Sequence, residues 1–371
     1  MQVPTTITTM TDIPTPALVV DVDKVQHNIL RWQQHCNQYG VALRPHIKTH
    51  KTLEIARMQR AAGAQGITAA KLSEAQVFSD AGFTDIFVAY PIIGADKAAH
   101  AATLARASKL IVGVDSLIGI AQLQAAAQHA DVCIHIRVEY DTGLHRCGVD
   151  ASQVYPLCNA VLQSSHLQLD GIFTYRGAWF AGANGRPAHE LGIEEATMMV
   201  DMAQSLRDRG VAISSVSVGS TPTGMACATV PGITEIRPGT YVFGDDMQRL
   251  NGACTDAEVA LTIVCTVISR PDATTATIDA GSKTFAGDIN YEKMGLSGFA
   301  SGVDLPVSLV RMSEEHGVLQ IPASLDLPIG SRIALRPIHV CTTVNLSDLL
   351  YFSSASDGIV PVAVAARGKR V

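Results

Sequence analysis

The order of apolar and polar positions divides this chain into two grammars. Apolar runs with strand character fall at 41–48, 66–70, 85–89, 110–114, 131–139, 167–175, 213–219 and 233–237. Between most of them the apolar positions recur at helical spacing, over Thr49–Ala62, Leu72–Ala81, Lys97–Ser108, Leu117–His129, Val154–Ser164 and His189–Arg209. Gly63, Gly82 and Gly210 each follow a last helical turn, the usual place for a residue that must leave the helix with positive φ. Ahead of this series, Pro16 to Asp21 reads as extended, and Asp23 caps a helix that runs to Gln38 and stops at Gly40. Eight β-α repeats with short turns predict a closed parallel (β/α)8 TIM barrel. An open dinucleotide-binding sheet would put a glycine-rich turn after its first strand, where this chain has Arg-Pro-His-Ile-Lys.

From Glu258 onward the spacing changes to short β-rich runs split by turns: Ala260–Ser269, Thr275–Asp279, Val307–Arg311, Gly317–Ile321, Ser331–Pro337, Leu349–Phe352 and Ile359–Val364. No long amphipathic helix interrupts them, which predicts a second, all-β domain. The expected division is a segment 1–22 that packs on the β domain, a barrel over 23–250, and the β domain over 251–371.

Composition narrows the class. Of 371 residues, 47% are hydrophobic and 17% charged, the balance of a packed globular protein with more than one core. A formal charge of -6 argues against a nucleic-acid or anionic-membrane partner. No run approaches the roughly 18 apolar residues that would span a bilayer. The first residues lack the basic-then-apolar pattern of a secretion signal, so a cytoplasmic protein is expected. None of the eight cysteines is spaced as CxxC, and most sit in apolar contexts, which suits reduced core thiols.

Chemistry-bearing residues gather where barrel strands end, the face on which barrel active sites are built. Lys48 closes the first strand in Arg44-Pro45-His46-Ile47-Lys48-Thr49-His50-Lys51. That position suits a Schiff-base lysine, and neighbouring cations Arg44, Lys51 and protonated His46 or His50 would disfavour its ammonium form. Arg137 ends the fifth strand, just before a loop dense in Asp, Gly and Arg over 139–148. Tyr175 ends the sixth, where an aromatic side chain can stack on or hydrogen-bond a planar ring. Gly219-Ser220-Thr221-Pro222-Thr223 follows the seventh strand and Arg237-Pro238-Gly239-Thr240-Tyr241 the eighth. Backbone N–H groups bared by glycine, with hydroxyls beside them, form a phosphate cup at the two loops where barrels often bind phosphate. In the β domain, His339 and Cys341 are spaced i, i+2; in a strand they would share one face and reach one metal ion, leaving positions open for water or substrate. A buried thiol beside a satisfied histidine is the plainer alternative for that pair.

Taken in order, these motifs resemble the D-serine dehydratase / D-threonine aldolase family of fold-type III pyridoxal phosphate (PLP) enzymes. The resemblance runs from Thr15-Pro16-Ala17 through the Lys48 segment, Asp141-Thr142-Gly143 with Arg146 and Gly148, Ser220 to Thr223, Glu235 to Tyr241, Ile278 to Lys283 and Ser313 to Gly317, and it ends with His339-Val340-Cys341 ahead of Thr343 and Asn345. It implies an alanine racemase-like barrel plus β domain in which Lys48 carries the PLP. It implies further that Ser220, Thr221, Gly239 and Thr240 hold the phosphate, Arg137 lies near the phenolic oxygen and Tyr175 near the ring nitrogen. His339 and Cys341 match the family's ligands for a divalent metal, zinc or manganese. A small D-amino acid is the implied substrate and a homodimer the implied assembly. Aldolases of the family carry an Asp where this chain has Cys341, so the pair resembles the zinc-dependent D-serine dehydratases. Tyr175 to Ala181, with Arg176 and Trp179, matches neither branch. The expected activity is a D-serine dehydratase-like β-elimination. Retro-aldol cleavage of D-threonine or 3-hydroxy-D-aspartate, amino-acid racemisation, and PLP binding without turnover are the alternatives.

Overall fold

The computed structural model describes residues 10–177, 186–356 and 358–371. These divide into two compact units. One holds the described residues up to Ile29, Thr49–Glu54 and Thr240–Gly368; the other holds Leu30–Lys48, Ile55–Gly239 and Lys369–Val371.

The second unit is the barrel. Its parallel strands are β2 (Ala42–Leu43), β3 (Ile67–Ala69), β4 (Asp85–Val88), β5 (Lys109–Val114), β6 (Ile134–Glu139), β7 (Leu167–Phe173), β8 (Ser215–Val218) and β9 (Glu235–Ile236), following β1 (Ala17–Asp21) of the other unit in the chain. They pair in the order β2-β9-β8-β7-β6-β5-β4-β3. A parallel bridge between His46 and Thr68 joins the two ends, with Ile47 N–H donating to Thr68 O at 2.9 Å and Thr68 N–H to Pro45 O at 2.8 Å. The helices are α1 (Val22–Tyr39), α2 (Leu53–Ala61), α3 (Leu72–Asp80), α4 (Ala95–Leu104), α5 (Leu117–Ala130), α6 (Ala151–Leu162) and α7 (Ala188–Asp208), then the short α8 (Gly224–Ala228); α9 (Asp246–Leu250) belongs to the other unit. The predicted repeats are all present, though the first strand is much shorter than 41–48: it ends at Leu43, while the Arg44 and His46 N–H groups go on to donate to Ile236 O at 3.0 Å and Pro238 O at 2.9 Å.

Alternation along the strands sorts the barrel's side chains. In β6, Ile134, Ile136 and Val138 share one face and His135, Arg137 and Glu139 the other. The charged face meets other charges. Glu235 on β9 accepts from Arg44 Nε at 2.6 Å and from Arg137 at 2.5 and 3.3 Å, while Asp170 accepts from Arg137 Nε at 2.7 Å. Arg137 also lies 4.7 Å over Phe87, whose ring packs edge-on to Phe173. Ion pairs thus stand where a barrel of this type more often stacks aliphatic layers.

The β unit is built on one nine-stranded sheet. With β1 its strands are β10 (Leu261–Asp272), β11 (Thr275–Ile278), β12 (Ala300–Gly302), β13 (Ser308–Met312), β14 (Gly317–Gln320), β15 (Arg332–Pro337), β16 (Leu349–Ser354) and β17 (Gly358–Ala363), in the order β11-β14-β13-β12-β15-β10-β1-β16-β17. β10 also pairs with β11, which curls one end of the sheet into a closed barrel. β1 runs antiparallel to β10 and parallel to β16, so the N-terminal strand lies inside this sheet and not at an edge. Its C-terminal stretch begins at Thr240, eleven residues before the start the sequence pattern suggested, and the unit takes in Thr49–Glu54. Lys51 explains that inclusion: its ammonium donates to Asn345 Oδ1 at 2.8 Å and its carbonyl accepts from Ala366 N–H at 3.0 Å. One short helix, α10 (Val340–Leu346), breaks the run of strands.

Candidate active site

Lys48 belongs to the barrel unit and follows the bridge residue His46 by two positions, in a turn and half-buried. Its Nζ is 5.9 Å from the centre of the Tyr175 ring, and the guanidinium of Arg146 lies 4.9 Å from the same centre. The Lys48 backbone N–H contacts His46 Nδ1 at 3.5 Å. Burial holds the His46 imidazole well below its usual pKa, and the charges of Lys48, Arg237 and Arg146 push it the same way, so His46 is neutral. The neighbouring cations named from the sequence each have partners in the structure. Arg44 is neutralised by Glu235 and by Asp85 at 2.5 Å, Lys51 is anchored on Asn345, and Arg146 is the arginine that reaches the ring of Tyr175.

Arg137 was expected beside the cofactor. Its guanidinium is instead buried between Asp170 and Glu235, each carboxylate within ion-pair distance, and it serves the barrel interior. Glu235 sits well below the usual carboxylate range: burial opposes its charge, but Arg137 and Arg44 more than offset that cost. Arg237, two residues on, is pushed down to about 10 by burial and by Arg137 against the pull of Glu235. It donates to Ser217 Oγ and to the Thr174 carbonyl, both at 2.5 Å, tying the residue before Tyr175 to β8. Position at a strand end marked Arg137 from sequence; the structure gives its guanidinium two carboxylate partners, Asp170 and Glu235. The Asp-Thr-Gly-x-x-Arg spacing was the signal for Arg146.

At the head of the Arg146 loop, Asp141 accepts from the backbone N–H groups of Gly143, Leu144 and His145, which fixes its turn. Behind the loop, ligand atoms of Asp115, Glu139 and Cys147 lie within 4.8 Å of one another. Burial pushes Glu139 up to about 7, with Asp115 adding to the push and Arg146 opposing it.

Ser220 and Thr221 lie buried in the turn after β8, entered through Gly219 at φ +81°. The Ser220 N–H donates to Thr223 Oγ1 at 3.0 Å, and the two hydroxyls are 2.9 Å apart. A Cβ at Gly219 would come to 3.0 Å from Gly224 Cα at a φ that residues with a side chain rarely adopt, so the turn favours glycine. Gly239 ends the barrel unit two residues after Arg237, and Thr240 opens the β unit in a short 3-10 turn. The Trp179 portion of the segment after Tyr175 falls outside the described residues; Arg176 is described and pairs with Glu194 at 2.9 Å.

In the β unit, His339 and Cys341 do not share a strand. β15 ends at Pro337; His339 then caps α10, and Cys341 lies in its first turn. The change of direction still brings the two side chains into hydrogen-bond contact. His339 Nδ1 lies 2.8 Å from Asp288 Oδ2, with Thr342 Oγ1 donating to the same carboxylate oxygen at 3.0 Å. Asp288 is held below its usual pKa, against burial, by His339 and Thr342, so it accepts and Nδ1–H donates. Burial would discharge His339, but Asp288, Cys341 and Asp245 raise it to about 11. The Cys341 sulfur is 3.2 Å from Thr49 Oγ1 and 3.7 Å from Thr240 Oγ1. Thr49 is the residue bonded to Lys48. Asp288 carried no local sequence signal, because its partner lies 51 positions away.

Two family models match the chain: alanine racemase, N-terminal domain, over residues 20–247, and putative serine dehydratase domain over residues 260–353. The D-threo-3-hydroxyaspartate dehydratase of Delftia sp. (strain HT23) is 34% identical over 370 residues, covering 95% of this chain and 97% of that protein. The crystal structure of D-threonine aldolase from Filomicrobium marinum superposes with a TM-score of 0.89 at 30% identity, covering all of both chains. A D-threo-3-hydroxyaspartate dehydratase with one cysteine changed to alanine, solved in the metal-free form, has a TM-score of 0.85 at 32% identity and covers 95% of this chain and 97% of its own. Among the described residues no helix is long and apolar enough to cross a membrane.

Proposed function

This chain belongs to the D-serine dehydratase / D-threonine aldolase family of PLP-dependent lyases, and from that premise we propose that it dehydrates a D-β-hydroxy amino acid to a 2-oxo acid and ammonia with the help of a divalent metal ion. The observation that carries the reading is the His339–Cys341 pair with Asp288 behind it.

That donor set fits a metal ion. A carboxylate on Nδ1–H fixes the imidazole tautomer and leaves Nε2 for an ion, the usual arrangement behind a metal-bound histidine. A thiolate beside it suits zinc, with two protein ligands leaving room for water and substrate. The barrel residues fit PLP as well: a half-buried lysine, an aromatic ring 5.9 Å from its amine, an arginine over that ring, and a tight turn entered through Gly219 at φ +81°. In this reading Lys48 anchors the cofactor, and Tyr175, Ser220, Thr221, Gly239 and Thr240 cradle it. Arg146 takes the place beside the ring that had been expected of Arg137.

When bound, PLP would supply an electron sink for the pair of electrons left at Cα. Metal at His339 and Cys341 would supply Lewis acidity to the departing β-hydroxyl. The protein's own part is proton handling and orientation. Lys48 Nζ takes the Cα proton, and the His46 imidazole beside it is neutral. Arg146 and Tyr175 hold the ring side, and Asp288 aims His339. A homodimer in a cytoplasmic setting, where the thiol stays reduced, belongs to the same reading.

The test is a screen of D-serine, D-threonine and D-threo-3-hydroxyaspartate with added zinc or manganese, before and after metal removal by EDTA. The expected outcome is a 2-oxo acid and ammonia, lost on chelation and restored by metal. Glycine as the product would replace dehydration by aldol cleavage. Full activity in the metal-stripped enzyme would defeat the metal-assisted mechanism.

A further inference from the structure

Glu195 on α7 has no place in the chemistry above, yet it is fully buried. Its Oε1 accepts from the Gly219 N–H at 3.0 Å, and its Oε2 accepts from Thr223 Oγ1 at 3.4 Å. Thr223 Oγ1 in turn accepts from the Ser220 N–H. The Arg176 backbone N–H, next to Tyr175, donates to the same carboxylate. α7 itself lies directly on the turn, since a Cβ at Gly192 would meet the Thr223 carbonyl oxygen at 2.7 Å. One carboxylate therefore binds the start and the end of the Gly219–Thr223 turn and the chain that leaves Tyr175.

A buried anion behind an anion-binding turn is an electrostatic cost that a purely apolar side chain would avoid. Its compensation is directional. A carboxylate offers acceptor sites on both oxygens, enough to hold three donors that come from two separate loops. Without it, the Gly219 and Arg176 N–H groups would lose a buried partner and the turn its fixed shape.

We infer that Glu195 is a positioning residue for the cofactor: it sets the Gly219–Thr223 turn to receive the phosphate and ties that turn to the Tyr175 side of the cradle. The inference rests on the PLP reading above. The experiment compares affinities of the cofactor-free protein for pyridoxal 5'-phosphate and for pyridoxal, which lacks the phosphate, by fluorescence titration. Wild type is expected to prefer the phosphorylated form strongly. Glu195→Gln should cut that preference roughly tenfold or more, about the worth of one charge-assisted hydrogen bond, while affinity for pyridoxal changes little. Thr223→Val, which removes one link and keeps the volume, should cut it less and in the same direction. A general loss of structure would weaken both ligands together. If wild type shows no preference for the phosphate, the cofactor reading itself fails. If wild type prefers it and a cooperatively melting Glu195→Gln keeps the wild-type ratio, the positioning role is overturned. Should Glu195→Gln not fold, an unchanged ratio in Thr223→Val overturns it.

Discussion

The barrel unit and the β unit treat buried charge in opposite ways. In the barrel, Arg44, Arg137, Asp170 and Glu235 neutralise one another through several short contacts, and Arg237 is held by a hydroxyl and a carbonyl. Each charge there has its partners within the fold, so the group is a scaffold. In the β unit, His339 sits between Asp288 and Cys341, a soft donor pair braced from one side. The contrast separates two kinds of charged residue that look alike in a sequence. Arg137 is paired with two carboxylates inside the barrel unit, whereas His339 and Cys341 offer the imidazole and thiol donors that the proposed metal ion would use.

The sharpest way to break the comparison is at Lys48, which stands outside the barrel's ionic group. Lys48→Ala should lower turnover by about 10³-fold or more and abolish the visible absorbance of bound cofactor, with little change in the melting transition. Glu235→Ala should do the reverse. It leaves Arg44 and Arg137 buried without their shared carboxylate, a loss of about 3–5 kcal/mol by analogy with broken buried pairs, read as a lowered denaturant midpoint. The pH dependence has a definite sign. Because the folded pKa of Glu235 is depressed, its contribution is fully present above the ordinary carboxylate pKa and is lost as pH falls toward the folded value. A milder Glu235→Gln should therefore flatten the acid limb of the stability curve.

In the β unit, Asp288→Asn should weaken metal binding about 10- to 100-fold without unfolding the protein, as measured by competitive metal titration. A variant that bound metal as tightly as wild type would remove the distinction between the two units. The smallest expected effect concerns Glu139. Burial raises its folded pKa to about 7, so between the model-compound value of 4.5 and about 7 the native state holds a proton that the unfolded chain has lost, and stability falls as pH rises through that window. Glu139→Gln should remove this decline, a gain of about 1–2 kcal/mol above pH 7 once solvent relaxation is allowed for. Chemical denaturation at several pH values measures it.

Much of the architecture could be read from the chain because its signals are local. Helical spacing, strand alternation and glycine stops depend on neighbours a few residues away, and α3, α5, α7 and most strands begin and end within a few residues of where the pattern put them. The exceptions have local causes that periodicity does not weigh. The first strand ends at Leu43, two residues before Pro45, and the chain turns into α10 after Pro337, so His339 and Cys341 meet across a helix start and not along a strand.

By itself, then, the sequence determined that this would be a parallel barrel with a β domain and that His339 and Cys341 would be close, whereas the first strand it drew as far as Lys48 ends at Leu43. Tertiary structure alone decided which arginine serves the barrel interior and which reaches the ring of Tyr175. It also supplied Asp288 behind His339 and assigned Thr49–Glu54 to the β unit. The reason is physical. Backbone preference and hydrophobic period act over one or two turns of chain, whereas the fate of a buried charge depends on which opposite charge the fold brings to it, here from as far as 191 residues away.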